Sequence, residues 1–311
     1  MNKIEKIEFI IKNWREKNFY SDTGKEFWAK RNSNLSDEFI DALFFEAYHQ
    51  IVQRDMPFVM CDILGFTTKM REKKNLEIYH NLIRSSFASL SEINLKSLLP
   101  DDFFDEDHKS YSEIIKVASK PFKINSMQFS DTIIFYPQII GTIFQLDIDS
   151  DTNRLFDQIL LTLTLSMAAK YFADMIRQGY LIRGAITYGD LLIQNNPPLY
   201  IGSAVERVHE LETLQEWAGI ALTPESILKI QEVGLLDDSL IIQYNPPIKD
   251  ESKFEKMFSE GILPYVVDWR NLVNLDKELI ENEAKNNQGI ILPGVKVKIC
   301  NTLKFYNLRV S

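Results

Sequence analysis

The sequence contains few cysteines, few histidines and fewer basic than acidic residues. Its 311 residues include only two cysteines, Cys61 and Cys300, so we expect no disulfide framework, and a reducing cytoplasm suits the chain. The 44 acidic residues outnumber the 35 basic ones, which gives a formal net charge of −9. Because binding to nucleic acid depends on clustered Lys and Arg, this balance argues against a nucleic-acid partner.

Long hydrophobic runs are also scarce. The most apolar helical run covers residues 158–169 and lies between Asp157 and Lys170. It is shorter than the roughly 20 residues that a membrane-spanning helix needs. The first residues are charged throughout and lack the apolar core of a signal peptide. We therefore expect a cytoplasmic protein without a membrane segment.

The remaining composition, 45% hydrophobic and 25% charged, is that of a globular protein with a sizeable core. Short apolar runs between turn residues predict strands at residues 58–61 and in FKINSMQF, TIIFYPQII, YLIRGAITYG and GIALTP. DLLIQ is expected to pair with the strand before it, and VKVKICNTLKFYN is a late strand candidate. Helices are predicted after residue 67, over residues 154–178 and in GSAVERVHELETLQ. This order favours an α+β sheet covered by helices on one face.

We expect one main domain with an addition at each end. Residues 1–50 are predicted to form a helical N-terminal extension. The main domain covers residues 51–235, and residues 236–311 form a C-terminal extension packed on it. No internal repeat is visible.

The stretch FVMCDILGFT, residues 58–67, has an unusual arrangement of residue types. Asp62 is the only acid in this stretch. It stands at the end of the apolar run and shortly before a turn at Gly65. A carboxylate there points into a crevice, and the backbone N–H groups that follow it face the same crevice. Amide groups in such a turn bind phosphate. The predicted phosphate-binding residues are Ile63, Leu64, Gly65, Phe66 and Thr67.

A second acid, Asp131, has a similar context in MQFSDTIIF, where Ser130 and Asp131 form a predicted tight turn between two strands. Asp62, Asp131 and the backbone carbonyl of Ile63 together offer hard oxygen ligands for two divalent cations. Two such ions stabilise the attacking and leaving oxygens of a phosphoryl displacement. The alternative is that each acid only caps a turn or a helix.

Four segments together resemble class III nucleotidyl cyclases and follow the order of that family. Residues 58–67 are similar to its first metal motif, and MQFSDTIIF to its second. IRGAITYGDLLI resembles its Arg-x-Gly strand, and YIGSAVERVHELE resembles the glycine-then-helix segment that carries its transition-state residues. The resemblance implies a ferredoxin-like, palm-type cyclase domain over residues 51–235. It also implies Asp62, Asp131 and the Ile63 carbonyl as ligands of two Mn²⁺ or Mg²⁺ ions in a homodimer.

The chain departs from the purine cyclases at the positions that read the base. Four residues before the second acid those enzymes carry Lys or Glu, and here Met127 stands there. The second base-reading position falls near Leu199 and Tyr200. None of the three is a strong reader of a purine edge.

The transition-state helix departs as well. The Asn and Arg of the family fall at Glu206 and Glu210, where acids would repel a triphosphate. Arg207 is the nearest basic residue, and it either points at the triphosphate or pairs with a neighbouring glutamate.

The whole pattern most resembles the bacterial pyrimidine cyclases of Pycsar antiphage systems. That resemblance implies conversion of UTP, favoured over CTP, to the cyclic monophosphate. It also implies a separate effector protein that the cyclic nucleotide activates. Two alternatives stay open: a non-catalytic cyclase-like module for dimerisation or nucleotide sensing, and a purine cyclase that uses ATP or GTP.

Overall fold

A computed structural model describes residues 5–6, 51–65, 77, 81, 84, 123–138, 150–195, 198–236, 239–259, 261–272 and 293–308. Within these ranges, the strands are β1 Ile51–Ile63, β2 Lys123–Phe129, β3 Thr132–Gln138, β4 Ile182–Asn195, β5 Pro198–Ile201, β6 Gly219–Leu222, β7 Ile241–Gln243 and β8 Tyr265–Val267. The α-helices are α1 Ser150–Arg177, α2 Ser203–Leu214, α3 Pro224–Val233, α4 Glu251–Met257 and α5 Pro293–Tyr306, and Trp269–Leu272 forms a 3₁₀ turn.

The strands form one mixed sheet in the order β2-β3-β1-β4-β6-β8-β7, with β5 paired to β4. The pairs β2–β3, β3–β1 and β1–β4 are all antiparallel, and α1 connects β3 to β4. Residues 77, 81 and 84, between β1 and β2, are helical. This is the strand order of a ferredoxin-like fold, and the α+β prediction is confirmed.

Strand β1 lies in the middle of the sheet, which explains its sequence. It pairs with β3 on one side and with β4 along its whole length on the other. Both of its faces are covered, because Phe58, Val59, Cys61 and Ile63 are all buried. A strand buried on both faces needs a continuous apolar run, and Asp62 interrupts that run only near its end.

Helix α1 is the main core helix. It runs for 28 residues, close to the predicted 154–178, and its buried side chains continue past Lys170. The segment Asp157–Arg177 is apolar and long enough to cross a membrane by length and composition alone, but 89% of its most apolar window is buried inside the protein. Tyr171 packs against Phe135 of β3, so α1 covers the sheet face that carries the odd-numbered side chains of β1.

Helix α2 packs against the opposite face of the sheet. A β carbon built on Gly189 of β4 would lie 3.7 Å from that of Ala204, and Gly189 pairs with Met56 of β1. The even-numbered side chains of β1, including Asp62, therefore face the α2 side. Helix α1 covers one face of the sheet, as predicted. Helix α2 packs on the other face, which carries Asp62.

Two strand predictions were wrong in detail. DLLIQ does not pair back on YLIRGAITYG, because both belong to β4, which continues through Gly189. VKVKICNTLKFYN forms helix α5. Its buried positions Ile299, Thr302 and Phe305 recur every three residues, which is a helical spacing that its valines and isoleucine had obscured.

The C-terminal region joins the sheet and core of the preceding residues. Strands β7 and β8 extend the sheet beyond β6. Helix α5 docks through Phe305, whose ring contacts Trp217, Tyr244 and Trp269. The predicted boundary at residue 235 remains a prediction, and the N-terminal extension lies outside the described residues apart from 5–6.

Candidate active site at the carboxyl end of strand β1

Asp62 occupies the second-to-last position of β1 and pairs with Thr132 of β3 and Arg183 of β4. Its side chain is 24% exposed, so it is accessible to solvent although its strand is buried. The chain then turns at Gly65, which has a φ of 74°. That left-handed conformation favours glycine and ends the strand directly after the acid.

Asp131 is brought to the same place by a two-residue hairpin. Ser130, with a φ of 56°, and Asp131 connect β2 to β3, as predicted. The backbone oxygen of Asp131 accepts a hydrogen bond from the N–H of Ile63 at 3.2 Å. The carboxyl groups of Asp62 and Asp131 are close enough to share a hydrogen bond. The structure thus brings together the two acids that the sequence singled out.

A buried ion pair beside these acids was missed from the sequence. The Arg183 Nε donates to Glu212 Oε1 of α2 at 2.6 Å, and Arg183 Nη2 lies 2.5 Å from the same oxygen. Arg183 Nη2 also lies 3.7 Å from Asp62 Oδ2. In the sequence, Arg183 stood out only as the arginine of the Arg-x-Gly strand. No sequence signal marks Glu212 as its partner, because 29 residues separate the two.

The pKa of Asp62 is raised to about 7. Burial is the main cause, the carboxylates of Glu212 and Asp131 add to it, and the Arg183 guanidinium opposes it. The carboxylates that raise the pKa of Asp62 place negative charge around it, which a divalent cation would neutralise.

The donors at this site fit a hard divalent cation. Asp62 and Asp131 supply carboxylate oxygens, and the Ile63 carbonyl directly follows Asp62 in the chain. Mg²⁺ and Mn²⁺ prefer such oxygen donors and bind through one or two carboxylates plus substrate phosphates. Within the described ranges no group of three or more His, Cys, Asp or Glu side chains is arranged to hold a metal ion.

Two amides of the predicted phosphate-binding turn already have hydrogen-bond partners, and the phosphate site itself stays a prediction. The N–H of Ile63 donates to Asp131, and the N–H of Leu64 donates to the backbone oxygen of Leu181 at 2.9 Å. Both amides are therefore engaged within the sheet. Gly65 follows them in the turn, while residues 66 and 67, the predicted Phe and Thr, lie outside the described residues.

The predicted base-pocket residues do not all lie on one face. Met127 is half-buried and pairs with Ile134, on the same sheet face as Asp62. Tyr200 is half-buried, and its ring contacts Tyr136 at 6.2 Å between centroids on that face. Leu199 precedes Tyr200 in β5 and is 41% exposed. Since side chains alternate along a strand, Leu199 points away from Tyr200.

The predicted transition-state residues lie on α2 and are solvent-accessible. Glu206 is exposed. Arg207 forms ion pairs at 3.5 Å with Glu210 on its own helix and with Glu225 on α3. Of the two roles open to Arg207, the structure shows the pairing with neighbouring glutamates.

Two lysines from the C-terminal region also lie near the ion pair. Lys249 Nζ donates to the Thr213 backbone oxygen at 2.7 Å. Burial lowers the pKa of Lys298, on α5, to about 8, and the charges of Arg183 and Lys249 contribute to that shift. Helix α5 therefore brings a positive charge towards this end of the sheet, which its sequence did not indicate.

No protein-family model matches the chain, and no curated protein matches it. Among solved structures, the adenylyl cyclase CyaB from P. aeruginosa is 16% identical with a TM-score of 0.38, over 73% of this chain and 97% of that one. A bacterial light-regulated adenylyl cyclase is 10% identical with a TM-score of 0.43, over 86% and 67% of the two chains. The catalytic core of a rhodopsin-guanylyl cyclase in complex with ATPαS is 10% identical with a TM-score of 0.35, over 70% and 97%.

Proposed function

We propose that this chain is a nucleotidyl cyclase that converts a ribonucleoside triphosphate to the 3′,5′-cyclic monophosphate and pyrophosphate. The observation that carries the proposal is the meeting of Asp62 and Asp131 at adjoining strand ends, linked by the Ile63–Asp131 hydrogen bond. Two partly buried acids that repel each other destabilise the metal-free protein, which argues for a function that needs both.

The proposed reaction is an intramolecular phosphoryl transfer. The ribose 3′-hydroxyl loses its proton to water, its oxygen forms a bond to the α-phosphorus, the bond from that phosphorus to the oxygen that bridges to the β-phosphorus breaks, and pyrophosphate leaves. Asp62, Asp131 and the Ile63 carbonyl would hold the divalent cations. When bound, Mg²⁺ or Mn²⁺ lowers the pKa of the 3′-hydroxyl and neutralises the triphosphate. The protein's own part is to position these acids and the substrate.

A pyrimidine is the proposed base, with UTP favoured over CTP. The thioether of Met127 is a weak hydrogen-bond acceptor, and the Tyr200 hydroxyl already shares a hydrogen bond with Tyr136. A purine edge left unpaired here would cost roughly 1–3 kcal/mol for each polar group. The product would act in the cytoplasm as a second messenger for antiphage defence, read by a separate effector protein.

A homodimer is part of the proposal, with the nucleotide between two copies of the sheet. A two-fold interface would create two equivalent sites. Sedimentation of the purified protein at micromolar concentration tests this. A monomer that turns over at full rate would contradict it.

A non-catalytic, nucleotide-sensing module is the second candidate. It is favoured by α2, where Glu206 and Glu210 stand in place of transition-state residues and Arg207 is paired with acids. Metal-dependent release of pyrophosphate separates the two candidates. A purine cyclase is the third candidate function, and the nucleotide that the protein cyclises distinguishes it from a pyrimidine cyclase.

The decisive experiment incubates the purified protein with ATP, GTP, CTP or UTP and Mn²⁺ and identifies the products by mass. We expect cyclic UMP, or cyclic CMP, and none from the Asp62→Asn variant. Cyclic AMP or GMP formed at least as fast would overturn the pyrimidine specificity but leave a cyclase. The absence of any cyclic product would overturn the cyclase proposal.

A further inference from the structure

We propose that Glu212 is a positioning residue that holds Arg183 away from Asp62 and so keeps the Asp62 carboxylate available to a divalent cation. This inference rests on the proposed function, because it assigns Asp62 a cation. Glu212 would touch neither cation nor substrate, and it would act through Arg183.

The Arg183 guanidinium is largely committed to α2 and the turn that follows it. Nε and Nη2 both contact Glu212 Oε1, and Nη1 donates to the Gln215 backbone oxygen at 3.1 Å. The approach to Asp62 is longer, at 3.7 Å from Nη2 to Oδ2. That distance exceeds a hydrogen bond, so Arg183 does not occupy a lone pair of Asp62 Oδ2.

Asp62 is the partner that Arg183 would otherwise take. The two residues face each other directly across the β1–β4 pairing. Arginine and carboxylate readily form two parallel hydrogen bonds, and such a pair would occupy the oxygens that a cation requires. Glu212 thus competes with Asp62 for the Arg183 guanidinium, and the position of Glu212 decides which of the two acids forms the ion pair.

Glu212 is well placed to win that competition. Its side chain is only 4% exposed, against 24% for Asp62, so an unpaired charge would cost more at Glu212. The residues that directly follow α2 are also held in place by hydrogen bonds. The Gln215 side chain donates to the Gly184 backbone oxygen at 2.7 Å and accepts from the indole N–H of Trp217 at 2.7 Å.

The test measures Mn²⁺ affinity in solution by electron paramagnetic resonance, without nucleotide or turnover. Glu212→Gln keeps the size of the side chain but removes its charge, and we expect Mn²⁺ affinity to fall about tenfold or more. Glu216→Gln, a half-exposed acid at the same turn, is the matched control and should leave affinity unchanged. Equal affinity in Glu212→Gln and wild type would overturn the inference.

The double variant Arg183→Met, Glu212→Gln separates positioning from structural support. It removes the competing arginine, and replacement of a whole buried ion pair is often tolerated. We expect its Mn²⁺ affinity to return to within about threefold of wild type. If Glu212 and Arg183 only supported the structure around the metal ligands, the loss would instead be about tenfold or more. It remains informative if the single variant does not fold. A double variant that folds but binds Mn²⁺ weakly would overturn the inference.

A crystal structure of metal-free Glu212→Gln gives a readout independent of metal and activity. We expect Arg183 Nη2 to move from 3.7 Å to hydrogen-bonding distance of Asp62 Oδ2. An arginine that stays in place would overturn the inference. Conversely, wild-type Mn²⁺ binding with the expected variant pattern, but without cyclisation, would overturn the proposed function and leave the role of Glu212 intact.

Discussion

Gly184 lies directly opposite Cys61 where β4 pairs with β1. A β carbon at position 184 would lie 2.5 Å from the Cys61 Sγ and 2.8 Å from the Met60 backbone oxygen. The absence of a side chain therefore lets the two strands approach each other beside Asp62 and Arg183. The site is built on a close strand contact that only glycine allows.

Gly184→Ala should destabilise the protein by roughly 1–3 kcal/mol, because the Cys61 side chain and the β1 backbone must shift to admit a methyl group. Urea unfolding measures the change. Gly189→Ala, in the same strand, is the control, since among the described residues its added β carbon would meet only the Ala204 β carbon, at an ordinary 3.7 Å. Equal stability losses in the two variants would contradict this account of the close contact.

Asp62→Asn and Asp131→Asn should each abolish cyclisation while the fold persists. Each change removes one of two acids that meet in the metal-free protein, so thermal stability should stay equal or rise. Product mass and melting temperature are measured on the same preparations. Substantial cyclic product from either folded variant would contradict the assignment of these acids as metal ligands.

The metal-free protein should lose stability between about pH 4 and pH 7. The pKa of Asp62 is about 7 when folded, above its ordinary value of 3.8, so the folded state holds this proton more tightly than the unfolded state does. The stabilisation from this proton is complete below the pKa of Asp62 in the unfolded state. It is lost as the pH rises through the pKa of Asp62 in the folded state. Melting curves across this range test the slope. Asp62→Asn should lack this component, and an unchanged slope would contradict the assignment to Asp62.

The docking of helix α5 depends on Thr302. Its hydroxyl accepts the Ala218 N–H at 2.7 Å, in a buried position. Thr302→Val keeps the shape but leaves that N–H unpaired, so we expect a loss of roughly 1–3 kcal/mol in the free energy of unfolding. Val297→Ala, at a site 45% exposed on the same helix, should cost within about 0.5 kcal/mol. A Thr302→Val variant as stable as this control would show that the hydrogen bond contributes little.

The sequence alone identified the two acids and the strand ends that carry them. Asp62 ends an apolar run before a glycine, and Ser130 and Asp131 separate two strand patterns by two residues. These signals are local, because strand periodicity and turn chemistry depend on residues a few positions apart. For the same reason helices α1 and α2 were predicted close to their observed bounds.

The tertiary structure decided what surrounds those acids. Arg183 lies near two acids, Asp62 on the paired strand and Glu212 on α2, which is 29 residues later in the chain. Strand register and the position of α2 decide which of the two acids it pairs with. Helix α5 was mistaken for a strand because its β-branched residues favour strands locally, whereas burial of Phe305 among aromatic rings favours the helix. Such long-range contacts leave no periodic mark in the chain, since each partner satisfies its own local pattern without the other.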